Sequence, residues 1–260
     1  MTSVPDLIAG LGTGLVGGFT SGLLGVTPGG GLVVFAVMLL GAEQHAAQGL
    51  SLVAQIPPTS AAGIRRYWDS GNRVTAAVLL WLGLGFLVGG IVGALIANWT
   101  TAAVLQWAYV IYLFLLDALL LRRRRAKESA EATGAAPDPH RAALLAVGCA
   151  AGVSSGFLGI GGGLATVVGL SAVLGMAQHR AQMISLALTL VPTTLPSAWI
   201  YWRHGAMPAW PTLVAVIVGL AVGTDVGARL ANRVPPERLR VLLVGFVSLM
   251  AVCMTLKALG

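Results

Sequence analysis

Two glycine-rich stretches and two helices that follow them carry the residues of this 260-residue chain with a capacity for chemistry. Gly25-Val26-Thr27-Pro28-Gly29-Gly30-Gly31 and Gly159-Ile160-Gly161-Gly162-Gly163 interrupt otherwise apolar runs. Within a helix Gly costs about 1 kcal/mol against Ala and Pro about 3, so both stretches are helix breaks. A helix that starts after such a break presents bare backbone N–H groups at the positive end of its dipole, a place that suits an anion. Downstream of the first break, Gln44, Gln48, Ser51 and Gln55 fall on one helix face, and Gln178, Gln182, Ser185 and Thr189 reproduce the stripe. Interhelical hydrogen bonding accounts for one such hydroxyl; four polar groups, twice over, ask for more partners than packing offers. With Thr59, Ser60, Thr193 and Thr194 beside Pro57-Pro58 and Pro192, they would line a neutral, donor-rich cavity. The candidate anion ligands are Thr27, Gly29, Gly30, Gln48 and Ser51 from the first set, with Gly161, Gly162, Gly163, Gln182 and Ser185 from the second. His45 and His179 open the two stripe helices, either as titrating groups for gating or proton movement or as helix-end caps.

These elements come in pairs because the chain repeats itself at an offset of 134 residues without gaps. Gly22-Leu23-Leu24-Gly25 returns as Gly156-Phe157-Leu158-Gly159, Gln44-His45 with Gln48, Ser51 and Leu52 as Gln178-His179 with Gln182, Ser185 and Leu186, and Tyr67-Trp68 as Tyr201-Trp202. Gly89, Gly93, Ala94 and Asn98 match Gly223, Gly227, Ala228 and Asn232. A duplicated membrane unit places its site where the copies meet.

Composition puts the whole in a bilayer. Hydrophobic residues make up 57% of the chain and charged ones 10%, with a mean hydropathy of +0.85, which leaves no solvated face for a soluble domain. Backbone groups in hydrocarbon must be satisfied internally, and strands of alternating polarity are absent, so helices are the expected elements. The first half reads as helices from about Pro5 to Val26, Gly30 to Leu40, Gln44 to Ile64, Val74 to Ala97 and Ala102 to Leu121, and the second follows the same plan from Ala142 to Leu259. The expectation is an all-α polytopic membrane protein of about eight to ten segments, with broken or re-entrant helices. Residues 1–121 form a first repeat, 122–141 a charged linker, and 142–260 a second repeat.

The net charge of +7 sits between apolar segments, where the positive-inside rule places it, and does not form a nucleic-acid surface. With the linker cytoplasmic, 14 of the 16 Lys and Arg lie inside, leaving Arg203 and Lys257 outside. The loop Asn98–Ala103 is uncharged, whereas its counterpart at Asn232–Glu237 and flanks is Arg-rich, so equivalent loops face opposite sides. The two repeats are therefore expected to be inverted, with both termini outside. No positive n-region or cleavage site marks a signal peptide at the start.

Other features read as packing. Gly14, Gly18 and Gly22, and Gly89 and Gly93, make four-residue ridges for close helix approach. Gly152-Val153-Ser154-Ser155-Gly156 fits the G-x-S-x-G nucleophile pattern, but it lies in an apolar helix whose copy carries Thr20, so a hydrolase is the weaker reading. Cys149 and Cys253 have no metal or redox spacing, and no metal or cofactor is expected. The acids within apolar stretches are Asp117 and Asp225, the latter four residues before Arg229 and so placed for a local ion pair.

The duplicated glycine breaks, Gly159-Ile160-Gly161-Gly162-Gly163 and the altered Gly25-Val26-Thr27-Pro28-Gly29, with two Gln/His-bearing helices in a chain of this length, resemble the TauE/SafE sulfite exporter family, also called the 4-toluene sulfonate uptake permeases. The resemblance covers essentially the whole chain and implies movement of sulfite or small organosulfonates across the bacterial cytoplasmic membrane. It departs at Thr27-Pro28, where glycines would be expected. The expected function is thus a secondary transporter of small sulfur-containing anions by alternating access around a central site. The partners expected are the anion, the lipid bilayer and a second copy of the chain, with no nucleic acid. An anion channel, a membrane hydrolase using Ser154 and a non-transporting scaffold are the alternatives.

Overall fold

Pro or Gly stands at several helix boundaries, as Pro28 before the helix Gly29–Leu39 and Gly159, Gly161 and Gly162 before that at Gly163–Val168, and the described apolar runs fold as helix. The computed structural model describes residues 4–24, 27–57, 75–126, 140–176, 178–188, 192–206, 209–231, 234 and 236–259. Among them are eleven helices and no strand. The first half contains α1 (Val4–Leu24), α2 (Gly29–Leu39), α3 (Gln44–Ala54), α4 (Ala76–Asn98) and α5 (Ala102–Ala126). The second contains α6 (Arg141–Leu158), α7 (Gly163–Val168, continued as a π-helical turn Gly169–Val173), α8 (Gln178–Leu188), α9 (Leu195–Arg203), α10 (Trp210–Ala231) and α11 (Pro236–Leu259). The helix α2 and the segment Gly163–Val173 begin and end at equivalent residues of the repeat, as do α3 and α8. The counterpart of α9 lies outside the described residues. Three helices, Ala76–Asn98, Arg141–Leu158 and Trp210–Leu230, are long and apolar enough to cross a membrane. With the shorter apolar helices and the exposed Val, Leu, Ile and Trp side chains on the outer faces, they make this an all-α polytopic membrane protein.

Two boundaries differ from expectation. The helix expected to run from Gln44 to Ile64 stops at Ala54. Pro57 cannot donate a backbone hydrogen bond, its ring crowds the carbonyl of Val53, and it biases Ile56 away from helical geometry. The end is closed instead by a tight turn, Ile56 N–H to Val53 O at 3.0 Å, and by the Gln55 side chain, whose Nε2 donates to Ser51 O at 2.8 Å. At the linker, α5 runs on to Ala126, so Arg122 to Arg125 extend that helix rather than starting the loop.

After each break the chain turns back on itself. A Cβ at Gly17 would meet the Leu32 side chain at 2.8 Å, and one at Gly31 would lie 3.5 Å from Thr20 Oγ1, so α2 runs antiparallel along α1. Gly169 packs on Val147 and Gly162 on Ala151 in the same sense, laying α7 along α6. Both breaks are hairpin turns between antiparallel helices.

The glycine ridges pack as expected, and they pack between halves. Any Cβ at Gly14, Gly18 or Gly22 of α1 would overlap carbonyl oxygens of Val216, Leu220 or Thr224 on α10. Gly85, Gly89 and Gly93 of α4 meet Leu145, Cys149 and Val153 of α6 in the same way, and Gly148, Gly152 and Gly156 return the contact. Backbone-to-backbone approach of this kind supplies dispersion contact where lipid offers no hydrophobic drive between helices. Each half thus grips the other through its first long helix.

Candidate functional site

The two breaks meet. Gly29, the first residue of α2, lies so close to the Ile160 carbonyl that a Cβ would overlap it, and Gly163, the first residue of α7, is equally close to the Thr27 side chain. Gly29 and Gly163 are equivalent in the repeat, so the two helix starts are apposed reciprocally. They are reached by different backbone routes. The first passes through Pro28 in right-handed helical geometry (φ −71°), while the second uses three left-handed glycines, Gly159, Gly161 and Gly162, at φ 69°, 70° and 67°. A residue with a Cβ is disfavoured at such angles, which explains the glycine run in one copy and its absence in the other.

Equivalent serines fasten both starts. Ser51 Oγ donates to Gly29 O at 3.2 Å, and Ser185 Oγ donates to Gly163 O at 3.1 Å. Their hydroxyl protons therefore hold the breaks in place, and what remains on each oxygen is acceptor capacity. Gln55 Nε2 uses that capacity on Ser51 at 3.1 Å. Tyr109 OH fixes the next residue of the first start through Gly30 O at 2.6 Å.

The polar stripe on α3 is buried throughout: Gln44 is 1% exposed, Gln48 and Ser51 0%, and Gln55 7%. Tyr201 on α9 donates to Gln48 Oε1 at 2.8 Å and contacts Gly156 O at 3.0 Å, tying the first half's stripe to the second half's break. That leaves Gln48 Nε2 buried and without a partner, together with Gln55 Oε1, Thr27 Oγ1, Ser155 Oγ, Thr166 Oγ1 and both amide atoms of Gln44. Buried polar groups are normally paired. The helix starts add the first-turn N–H groups of α2 and α7, which lie where a helix has no acceptor of its own; Leu32 N–H bonds Pro28 O and Thr166 N–H bonds Gly162 O. All of these residues are neutral. A donor set without a fixed cation can stabilise an anion by hydrogen bonds and helix dipoles and still release it.

Thr27, Gly29, Gly30, Gln48, Ser51, Gly161, Gly162, Gly163 and Ser185 are all buried, and the contacts above link the two breaks with the stripe. The side chains of Gln182 and His179 lie outside the described residues, as do those of Gln178 and Thr189, and Thr59, Ser60 and Tyr67 altogether. His45 stands apart from the breaks: its Nε2 lies 3.1 Å from both Ala97 O and Thr100 O at the end of α4, the geometry of a helix-end cap. Tyr109, Tyr201, Ser155 and Thr166 were not expected at the site; of these, the Tyr67/Tyr201 repeat was the available signal for Tyr201. Beside the first break, Thr27, Pro28, Gly30 and Gly31 line a cavity of about 10 Å³, about the space of one water.

Ser154, the residue of the nucleophile-like motif, donates to Ala151 O of its own helix at 2.9 Å, while Gly152 and Gly156 pack directly on α4. Asp225 pairs with Arg229 at 2.7 Å as its spacing implies.

A polytopic helical bundle with helix starts apposed at a neutral, buried polar centre is the architecture of a membrane transporter. The chain belongs to the TauE/SafE sulfite exporter family: the profile described as Sulfite exporter TauE/SafE matches residues 10–254. It is 29% identical over 219 residues to the "Probable membrane transporter protein YdhB" of Bacillus subtilis (strain 168), covering 84% of this chain and 87% of that one. It is 30% identical over 244 residues to a "Probable membrane transporter protein" of Xylella fastidiosa (strain 9a5c), covering 89% and 87%. A protein of the same description from strain Temecula1 / ATCC 700964 is 30% identical over 248 residues. No solved structure gives a significant match. The family is one of transporters and not of enzymes, which places the Ser154 motif with helix packing.

Proposed function

We propose that this protein is a secondary transporter that carries sulfite or a small organosulfonate across the bacterial inner membrane, by alternating access around the paired breaks. The observation that carries the reading is the reciprocal apposition of Gly29 and Gly163, each fastened by an equivalent serine and surrounded by buried polar atoms without partners. A sulfonate brings three acceptor oxygens and a negative charge. Gln48 Nε2 and the N–H groups at the starts of α2 and α7 are donors that match it, and the family supplies the sulfur chemistry. Ser51 and Ser185 then act as fasteners of the starts, and either hydroxyl donates to the ligand only after its bond to glycine opens.

The 10 Å³ space at the first break is too small for a sulfonate, so substrate entry requires the halves to separate there. The ridges of α1 on α10 and α4 on α6 are the surfaces on which one half would rock against the other. In this reading the two repeats are inverted, the linker is cytoplasmic and both termini are outside. The test is counterflow in proteoliposomes with sulfite, sulfate, taurine, sulfoacetate and thiosulfate in turn. Saturable, trans-stimulated exchange of a sulfur anion is the expected result; linear, non-stimulated flux would indicate a channel, and no flux of any of the five would refute the reading.

A further inference from the structure

We infer that Asp117 is the group that carries a coupling proton in the transport cycle, an inference that rests on the carrier reading above. Asp117 and Asp225 are the acids within the apolar stretches of the chain, and their surroundings differ. Asp225 is 54% exposed and bonded to Arg229 one turn away. Asp117 has Leu120 and Leu121 at the positions where a helical partner would stand, and Arg122 follows only at the fifth residue, about 7.5 Å along the axis. Its single hydrogen bond crosses between the halves: Ser248 of α11 donates to Oδ2 at 2.6 Å. Its other oxygen, Oδ1, is enclosed and has no partner.

Acids within membrane segments are rare and carry function, with proton relays among their roles. A hard divalent cation would need about six or more oxygen ligands, and no cluster of His, Cys, Asp or Glu able to hold a metal is found among the described residues. A proton needs one oxygen, and Oδ1 is that oxygen. The carboxylate gains a proton at Oδ1 from the aqueous phase on one side, becomes a neutral acid, and returns the same proton to the phase on the other side. The bond from Ser248 weakens from charge-assisted to neutral when the proton is on. Since α5 and α11 belong to different halves and pack together, that change alters their hold on each other once per cycle.

On α5 itself, Tyr109 is bonded to Gly30, Tyr112 lies five residues before Asp117, and Arg122 to Arg125 follow it. On α11, Glu237, Arg238 and Arg240 precede Ser248 by two turns or more, and Cys253 and Lys257 follow it by more than one turn and more than two. On α6, the Arg141 guanidinium lies 5.7 Å over the Trp81 ring, and Cys149 packs on Gly89 of α4. On α3, His45 caps α4.

Asp117→Asn separates a structural clasp from a proton carrier, because the amide oxygen still accepts from Ser248 but cannot take up a proton. The experiment uses the full-length protein in proteoliposomes with a luminal pH indicator and the five sulfur anions of the counterflow panel. The wild type is expected to show substrate-linked luminal pH change and several-fold accumulation under an imposed pH gradient of one polarity. Asp117→Asn should keep counterflow at equal pH within about twofold while losing both proton signals, and Asp117→Glu should restore them. Wild-type counterflow without proton movement would overturn the proton role and leave the carrier reading intact, as would accumulation driven by a sodium gradient instead. Full proton coupling in Asp117→Asn would overturn the assignment of the residue. Absence of wild-type counterflow with all five anions would refute the carrier reading and this inference with it. If the Asn variant fails to insert, Asp117→Glu with wild-type coupling and Asp117→Ser with counterflow but no pH signal give the same decision.

Discussion

Gly30→Ala separates ligand binding from packing at the first break, a distinction few of the other glycines there permit. A Cβ at Gly29 would overlap Ile160 O, one at Gly163 would overlap Thr27, and one at Gly162 would overlap the Phe86 ring at a φ of 67°. Losses in those variants would report damage to the fold whatever the ligand does. At Gly30 the nearest atoms to an added Cβ are Met250 Cε at 3.8 Å and Leu164 Cδ1 and Tyr109 OH at 3.9 Å, ordinary van der Waals contact. Gly30 is not among the glycines of positive φ, and it is the second residue of α2. There Ala favours the helix by up to about 1 kcal/mol, so thermal stability in detergent should be unchanged or raised by roughly 2–4 °C. The methyl leans toward the helix N-terminus, into the space an anion must occupy to reach the first N–H groups. Losing a charge-assisted hydrogen bond costs about 1.5 to 3 kcal/mol, roughly 10- to 150-fold in Kd. The assay is titration of purified variant and wild type with whichever anion shows counterflow. Gly93→Ala, whose Cβ would overlap Val153 O in the α4–α6 ridge, is the packing control and should lose stability and insertion instead. If Gly30→Ala folds like wild type and binds within twofold of it, the first helix start does not hold the anion.

Ser51→Ala and Ser185→Ala each remove one buried hydrogen bond to a helix start and should lower stability by about 1 kcal/mol each, with Ser51→Ala the larger because Gln55 Nε2 also loses an acceptor; equal thermal midpoints for wild type and both variants would contradict the fastening role. Tyr201→Phe releases Gln48 Oε1 and Gly156 O, and should weaken anion binding through the freed Gln48 amide; a double-mutant cycle with Gln48→Ala should show a coupling of about 0.5 to 3 kcal/mol. In a background lacking Cys149 and Cys253, a cysteine at Glu131 should be shielded from impermeant reagent in intact cells and one at Thr2 should react, and the opposite pattern would overturn the topology.

Much of this arrangement was legible in local chemistry. The i, i+4, i+7, i+11 spacing of Gln44, Gln48, Ser51 and Gln55 needs only helical periodicity, and all four side chains are buried as that face requires. The ridges at Gly18 and Gly89 needed only small residues at four-residue spacing, although which helix each would meet was not written in the pattern. The early stop of α3 was written in Pro57, which the expected helix from Gln44 to Ile64 ran through. What local chemistry does not carry is direction. Nothing near Gly29 announces that α2 doubles back along α1, or that the Ser51 proton turns to a carbonyl at the break instead of to a free cavity. The long-range partners, Tyr109 at Gly30 and Tyr201 at Gln48, are separated from their targets by 79 and 153 residues, and only the folded chain brings them together.

A crystal grown with selenite, an oxyanion close in shape and charge to sulfite with an anomalous signal, locates the anion without relying on mutagenesis. An anomalous peak about 4 Å from backbone nitrogens at Gly30 and Gly31 or at the start of α7, one Se–O bond beyond hydrogen-bond distance, and beside Gln48 Nε2, is the result predicted by an anion site at the paired breaks. A peak confined to another part of the membrane domain, in a protein that exchanges selenite, would contradict it.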